Sequence, residues 1–398
     1  MPCGVPDTNR FQNMTDTLPP LHEILPPLHE IMTGRPRPRH LRFAAALADL
    51  APGTVLERRD HSRLQRLQTN ARCRLYGLRE VGVPAGEMPV LLHQALTSVA
   101  RPYAAEFDVP LAVHGYNYQA FLRHRDRARR LFESPSLRAL FVFSDWARRS
   151  FAMHFGEETA AKCKISYPLA SMQSNSSRLD RRYDFAFIAA NFRIKGGPEM
   201  LRAFRSVRQS VAPHATLCVV SDLKEAHQYV GDLSSYEGVE WRSSNLDETA
   251  VATLLSETHC LVHPTLFDSF GVVVLEALAA GCAIIATNMA SLSELVTSEN
   301  GFLLSLPIGG VVGDMTIPQF SIGRDYCALL DRLSLHSFER DLTAAMAALV
   351  SDQVRREKCQ AAARDLYRKR FSLEAWTANM RTDLRTAFPE LNASRQII

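Results

Sequence analysis

A chain of 398 residues exceeds what one hydrophobic core usually organises, and its 46% hydrophobic and 22% charged content excludes wholesale disorder and fits two globular domains. Its eight cysteines include no Cys-x-x-Cys pair and its histidines form no cluster at metal-ligand spacing, so neither a disulfide framework nor a zinc site is expected, and a reducing cytoplasm suits the chain. The net charge of +4 is unevenly divided: residues 1–180 hold 24 Lys and Arg against 17 Asp and Glu, and residues 181–398 hold 22 against 25.

The first forty residues carry a tandem repeat, Leu18-Pro-Pro-Leu-His-Glu-Ile24 then Leu25-Pro-Pro-Leu-His-Glu-Ile31, followed by Arg35-Pro-Arg-Pro-Arg39. Proline at this density blocks helix and ladder alike, so residues 1–40 are expected to form an irregular arm. No charged-then-apolar signal segment opens the chain. The longest apolar stretch, Gly271 to Ala286, is interrupted by Glu276 and is too short for a bilayer.

From about residue 88, strands and helices alternate. Pro89–His93, Pro110–His114 and Leu140–Ser144 read as strands of an N-terminal domain over 41–175. Between them the run Arg123-His-Arg-Asp-Arg-Ala-Arg-Arg130 reads as a solvated helix face, or as a surface for anionic lipid or an anionic acceptor. It lacks the interleaved aromatics of a nucleic-acid surface, and no nucleic acid is expected as a partner. The polar stretch Ser171–Arg178 reads as a linker. A second series, Tyr183–Ala190, Ala215–Val220, Val239–Trp241, Cys260–His263 and Ala283–Ala286, predicts a C-terminal domain over 181–365, with a closing helical segment over 366–398 turning back toward the N-terminal domain. The alternation implies an α/β fold of two doubly wound, Rossmann-like units.

The most informative stretch is His263-Pro-Thr-Leu-Phe-Asp-Ser-Phe-Gly-Val-Val-Val-Leu-Glu-Ala-Leu-Ala-Ala-Gly281. A strand ends at His263, a loop carries Asp268 and Gly271, and Val272–Ala280 reads as a helix stopped by Gly281. Asp268 and Glu276 can then face the crevice at the strand ends, beside the amides of Phe270, Gly271 and Val272 at the helix start. The plain alternative makes Asp268 a helix cap and Glu276 a surface residue. Against it, Leu275, Ala277, Leu278 and Ala279 surround Glu276 with apolar groups, where a carboxylate needs a partner.

This stretch resembles the donor-site signature of family 4 retaining glycosyltransferases, which have the GT-B fold of two Rossmann-like domains across a cleft. The resemblance implies that Glu276 holds the nucleotide ribose and Asp268 the donor sugar. The first acid is usually Glu; Asp is shorter by one carbon–carbon bond, about 1.5 Å, so the sugar sits differently or the loop moves inward. Ile188-Ala-Ala-Asn-Phe-Arg-Ile-Lys-Gly-Gly197 resembles the family's basic loop, which makes Lys195 the diphosphate ligand and Arg193 a second one, since the family's earlier Arg falls on Ala190. Pro198 suits the helix start.

Val113-His-Gly-Tyr-Asn117 resembles the strand end whose histidine, here His114, reaches the reaction centre, and Phe143–Arg148 resembles the last strand and helix of the N-terminal domain. Ser291–Glu294, Glu299–Gly301 and Phe371–Leu384 resemble later family segments. Glu294 reads as the fourth member of a Ser-x-x-Glu capping box, and Pro307–Ile322 as an insertion. Nothing before residue 88 matches the family's opening strand and Gly-rich loop, which leaves the N-terminal domain reduced, divergent or wrongly started.

The activity implied is transfer of a hexose from a nucleoside diphosphate sugar to a hydroxyl of a glycan or glycolipid acceptor, with retention. Envelope polysaccharide or glycolipid synthesis is the setting that the resemblance suggests. Asp268, His114 and Lys195 are the expected catalytic residues, with no metal or cofactor, at a cytoplasmic site able to touch an anionic membrane. The alternatives are a catalytically degenerate nucleotide-sugar-binding protein and a sugar-nucleotide epimerase of the same fold.

Overall fold

In a computed structural model, residues 25, 28–33, 38–51, 54–59, 77–83, 86, 88–170, 181–306 and 324–389 are described. They build two six-stranded sheets in which every pairing is parallel. The N-terminal sheet comprises β1 (His29–Thr33), β2 (Val55–Arg59), β3 (Val90–His93), β4 (Tyr103–Phe107), β5 (Leu137–Val142) and β6 (Cys163–Ile165), in the order β2-β1-β3-β4-β5-β6. The C-terminal sheet comprises β7 (Tyr183–Ile188), β8 (Leu217–Ser221), β9 (Val239–Ser243), β10 (Thr258–His263), β11 (Ala283–Thr287) and β12 (Gly301–Leu304), in the order β12-β11-β10-β7-β8-β9. Strands covered on both faces read as continuous apolar runs, and β3, β4, β8 and β11 are buried at every residue.

Helices cover both faces of the N-terminal sheet. On one side Phe121, Ala128 and Phe132 of the helix Tyr118–Glu133 and Phe151 and Phe155 of the helix Asp145–Phe155 pack on Leu92, Ala105 and Leu140. Asn117 and Ser144 cap these two helices, accepting from the amides of Ala120 and Ala147 at 3.0 Å. On the other side Phe43 and Leu47 of the helix Pro38–Leu50 meet Trp376, Met380 and Leu384 of the helix Leu373–Ala387 over Leu91, Ala104 and Phe141. The last helix of the chain is therefore part of the N-terminal core.

Several expectations change here. The proline-rich arm expected over 1–40 contains β1, an interior strand paired with both β2 and β3, and Leu25 and Leu28 before it are buried. An opening strand is thus present and the N-terminal domain is not reduced; with six strands it matches its neighbour. The segment Pro110–His114, expected as a strand, is a 3-10 helix set between Pro110 and a left-handed Gly115, and the strand precedes it as β4. A five-residue apolar run fits either form, and proline at its start decides against the ladder. The first repeat copy, the linker Ser171–Arg178 and the insertion Pro307–Ile322 lie outside the described residues. Among the described residues no helix is long and apolar enough to cross a membrane.

Candidate active site

β7 and β10 lie side by side at the centre of the C-terminal sheet, with β8 and β9 on one flank and β11 and β12 on the other. Open α/β sheets bind ligands at such a switch point, outside the carboxyl ends of the strands. The two loops that leave it, 189–196 and 264–271, pack on each other. Gly196 has φ +76°, and a Cβ in its place would stand 2.1 Å from the carbonyl oxygen of Pro264, so glycine alone allows the approach. The Leu266 amide donates to Ile194 O at 2.8 Å.

That packing brings together two residues expected from the sequence. Lys195 Nζ donates to Asp268 Oδ2 and to Phe267 O, both at 2.8 Å. Asp268 is filled on its other side: Oδ1 accepts from the amides of Ser269 at 2.8 Å and Phe270 at 3.3 Å, and Oδ2 also accepts from His263 Nε2 at 2.8 Å. Burial pushes the Asp268 carboxyl up, but the Lys195 ammonium and the His263 hydrogen bond outweigh it and hold the group well below the usual carboxylate range. Burial keeps His263 below its ordinary value despite Asp268. The neutral imidazole therefore gives Nε2–H to Asp268, and its Nδ1 has no partner among the described residues.

The helix Val272–Ala280 begins at Gly271, which sits at φ +86° with no side-chain cap, leaving the amides at its start as orphan donors with a partial positive charge. Phe270's amide is taken by Asp268, so Gly271 and Val272 supply the donors. Glu276 lies further along this helix, its side chain 12% exposed and 3.6 Å from Arg42 Nη2 of the N-terminal domain. Asp268 is not the cap of this helix: its carboxylate holds the amides of its own loop and pairs with Lys195.

Two expected residues lie elsewhere. Arg193 turns into the C-terminal domain, where it is 4% exposed, with Nε donating to Asp331 Oδ1 at 2.6 Å and Nη1 to Glu199 Oε1 at 3.3 Å. Its charge is spent on a buried pair because Glu199 sits at the buried start of the helix Gly197–Ser210. His114 is 2% exposed in the N-terminal core, donating Nδ1–H to Gly77 O at 2.6 Å with its ring edge-on to Phe121. Burial lowers its pKa to about 4, so it is a neutral core imidazole.

Besides Arg42, the N-terminal domain brings Asp108, just past β4, to the site: it accepts from Tyr116 at 2.7 Å and, across the domains, from Ser269 Oγ at 3.3 Å. The shifted strand assignment hid it, since a carboxylate one residue beyond a strand is legible only once the strand end is right. Glu294 forms no capping box with Ser291, whose hydroxyl bonds Phe270 O at 2.9 Å. It caps the helix Asp145–Phe155 of the other domain, accepting from the amides of Asp145 at 3.0 Å and Trp146 at 2.8 Å.

Residues 182–307 match the family model described as glycosyl transferases group 1. No curated protein matches the sequence significantly. Among solved structures the fold is similar to Anabaena HepE, determined with UDP and glucose, with a TM-score of 0.60 at 14% identity over 90% of this chain and 100% of that one. It is also similar to WaaG, a glycosyltransferase involved in lipopolysaccharide biosynthesis, at 0.58 and 15% over 89% and 98% of the two chains. Sucrose-phosphate synthase of Thermosynechococcus elongatus gives 0.60 and 14% over 91% and 100%. The shared fold is GT-B, and the segment matched by the family model contains both loops of the switch point.

Proposed function

We propose that the protein is a retaining, family 4-like glycosyltransferase that moves a hexose from a nucleoside diphosphate sugar to a hydroxyl of an envelope glycan or glycolipid. The observation that carries this reading is the meeting of Lys195, Asp268 and the uncapped start of the helix Val272–Ala280 at the switch point of a group 1 transferase domain. The ammonium and the helix amides stabilise the negative charge that grows on the departing diphosphate, which makes electrostatics the main catalytic effect and requires no metal. Asp268, held ionised, accepts hydroxyls of the donor sugar, and Glu276 those of the ribose. HepE, whose fold is similar, was determined with UDP-glucose, which makes a uridine donor the first to test. Asp108 replaces His114 as the N-terminal group nearest the reaction. The degenerate-subunit reading, motivated by a missing Gly-rich loop and a shortened N-terminal domain, loses the second support because β1 and β2 complete the sheet; the loop after β1 lies outside the described residues.

Glu276→Gln is the direct test of the nucleotide end. Losing one charge-assisted hydrogen bond should weaken nucleoside diphosphate binding by about 1.5–3 kcal/mol in calorimetry. Unchanged affinity would reject the ribose assignment.

The acceptor side is read from the basic half. On the helix Tyr118–Glu133, Arg125 and Arg130 are exposed and Arg129 is half-buried, beside the exposed Leu122. We assign this face to an anionic membrane at the cytoplasmic side, each arginine contributing on the order of 1 kcal/mol and fading with salt. Replacing Arg125, Arg129 and Arg130 with Gln should release the protein from anionic vesicles at low salt while nucleotide affinity stays unchanged. Equal co-sedimentation of parent and variant, or none by either, would remove the membrane clause.

A further inference from the structure

Arg42, on the helix Pro38–Leu50 of the N-terminal domain, sends its guanidinium into the transferase domain. Nε donates to Leu169 O at 2.9 Å, Nη1 donates to Glu248 Oε1 at 2.6 Å, and Nη2 stands 3.6 Å from Glu276 Oε1. The three acceptors belong to three separate segments: the chain leaving the N-terminal domain, the start of the helix Glu248–Ser256, and the helix Val272–Ala280. A planar guanidinium tied at two of its nitrogens has a fixed third, so the direction from which Glu276 is approached is set by the Leu169 carbonyl and the Glu248 carboxylate. Arg42 is 15% exposed at its side chain and Glu276 12%, so solvent screens the pair little. The Glu276 contact is longer than a hydrogen bond, and a carboxylate offers about four lone-pair directions, so ribose hydroxyls and Arg42 can share it.

We propose that Arg42 is a positioning residue for the nucleotide: it orients and balances Glu276, so that donor binding draws on the N-terminal domain. This rests on the reading of Glu276 as the ribose ligand. It distinguishes Arg42 from a mere strap between domains, which would act on stability alone, and from a competitor that blocks Glu276, which would act on affinity with the opposite sign.

Uridine, guanosine, adenosine and thymidine diphosphates are titrated in turn into the parent, and the one that binds is carried through Arg42→Ala, Arg42→Lys, Glu276→Gln and the Arg42→Ala/Glu276→Gln double variant. Arg42→Ala should weaken binding about tenfold, and the double variant should lose less than the product of the two single losses, because both remove one shared interaction. Arg42→Lys keeps the charge without the fork and should fall between parent and Arg42→Ala at an unchanged melting temperature. Should Arg42→Ala fail to fold, that intermediate affinity still supports the proposal, and parent-level affinity in Arg42→Lys overturns it. Parent-level or tighter binding by Arg42→Ala, or strict additivity in the double variant, overturns it while leaving the glycosyltransferase reading intact. Unchanged affinity in Glu276→Gln, or no diphosphate bound by the parent, removes the underlying reading and this proposal with it.

Discussion

Lys195→Ala should lower kcat roughly a hundred- to a thousandfold, the usual loss when one preorganised group that stabilises developing negative charge is removed. The ammonium sits 2.8 Å from Asp268 and is fixed there by the carbonyl of Phe267, so it is already in place before the leaving group gains charge. An interaction that strengthens only as the diphosphate departs acts on kcat, and donor KM should move little by comparison. The fold should survive, because Asp268 keeps His263 and two amides as partners. Arg193→Ala gives the contrasting result. It leaves the buried Glu199, whose carboxyl burial already pushes up, with the exposed Arg202 as its remaining cationic partner, so it should lower the melting temperature while sparing turnover below it. Normal turnover in Lys195→Ala beside lost turnover in folded Arg193→Ala would mean that the charge comes from the wrong residue of the two.

The second large effect lies in the N-terminal sheet. His93, at the end of β3, stands between Glu30 of β1 and Glu106 of β4, with both carboxylate contacts at 2.5 Å and all three side chains buried. Burial drives the imidazole's pKa down, but Glu106 and Glu30 outweigh it and raise the value to about 10. A group whose folded pKa exceeds its unfolded one, about 6.5 for His, stabilises fully below the unfolded value and less as pH climbs toward the folded one. Stability to denaturant should therefore fall between about pH 6.5 and 10, and His93→Gln should flatten that slope. His93→Ala should cost about 3–5 kcal/mol at neutral pH, since it leaves two buried carboxylates facing each other. Parallel pH curves for parent and His93→Gln would show that the imidazole is not the titrating group.

The strands and helices of the C-terminal domain were readable. The helix Val272–Ala280 falls where Gly271 and Gly281 bracket an apolar run, and both glycines are left-handed. Long apolar strands between turn residues leave little choice of structure, and the loops after β7 and β10 bring together the lysine and the carboxylate that the sequence singled out. What the sequence hid is side-chain direction. Arg193 and Lys195 are two residues apart in one loop, yet one points into a buried pair and the other into the crevice. Only the position of Glu199, a turn further on, decides between them.

The N-terminal domain was harder to read, for two physical reasons. Its opening strand follows a Pro-rich repeat, and composition alone favours an arm until the pairing of β1 with β2 and β3 is known. Its basic and buried charges find partners far along the chain, such as Arg42 with Glu248 and His93 with Glu30. No periodicity signals a contact of that kind. The same holds for Glu294, which reads as a local cap and instead caps a helix of the opposite domain.

The central claim is tested most directly by incubating the protein with a panel of nucleoside diphosphate hexoses, without added acceptor, and following the anomeric proton of the released sugar by NMR. The account predicts that one nucleotide hexose is consumed, that the first sugar formed keeps the donor's anomeric configuration, and that Lys195→Ala abolishes most of the signal. Consumption of none of the panel, or a first product of inverted configuration, would contradict it.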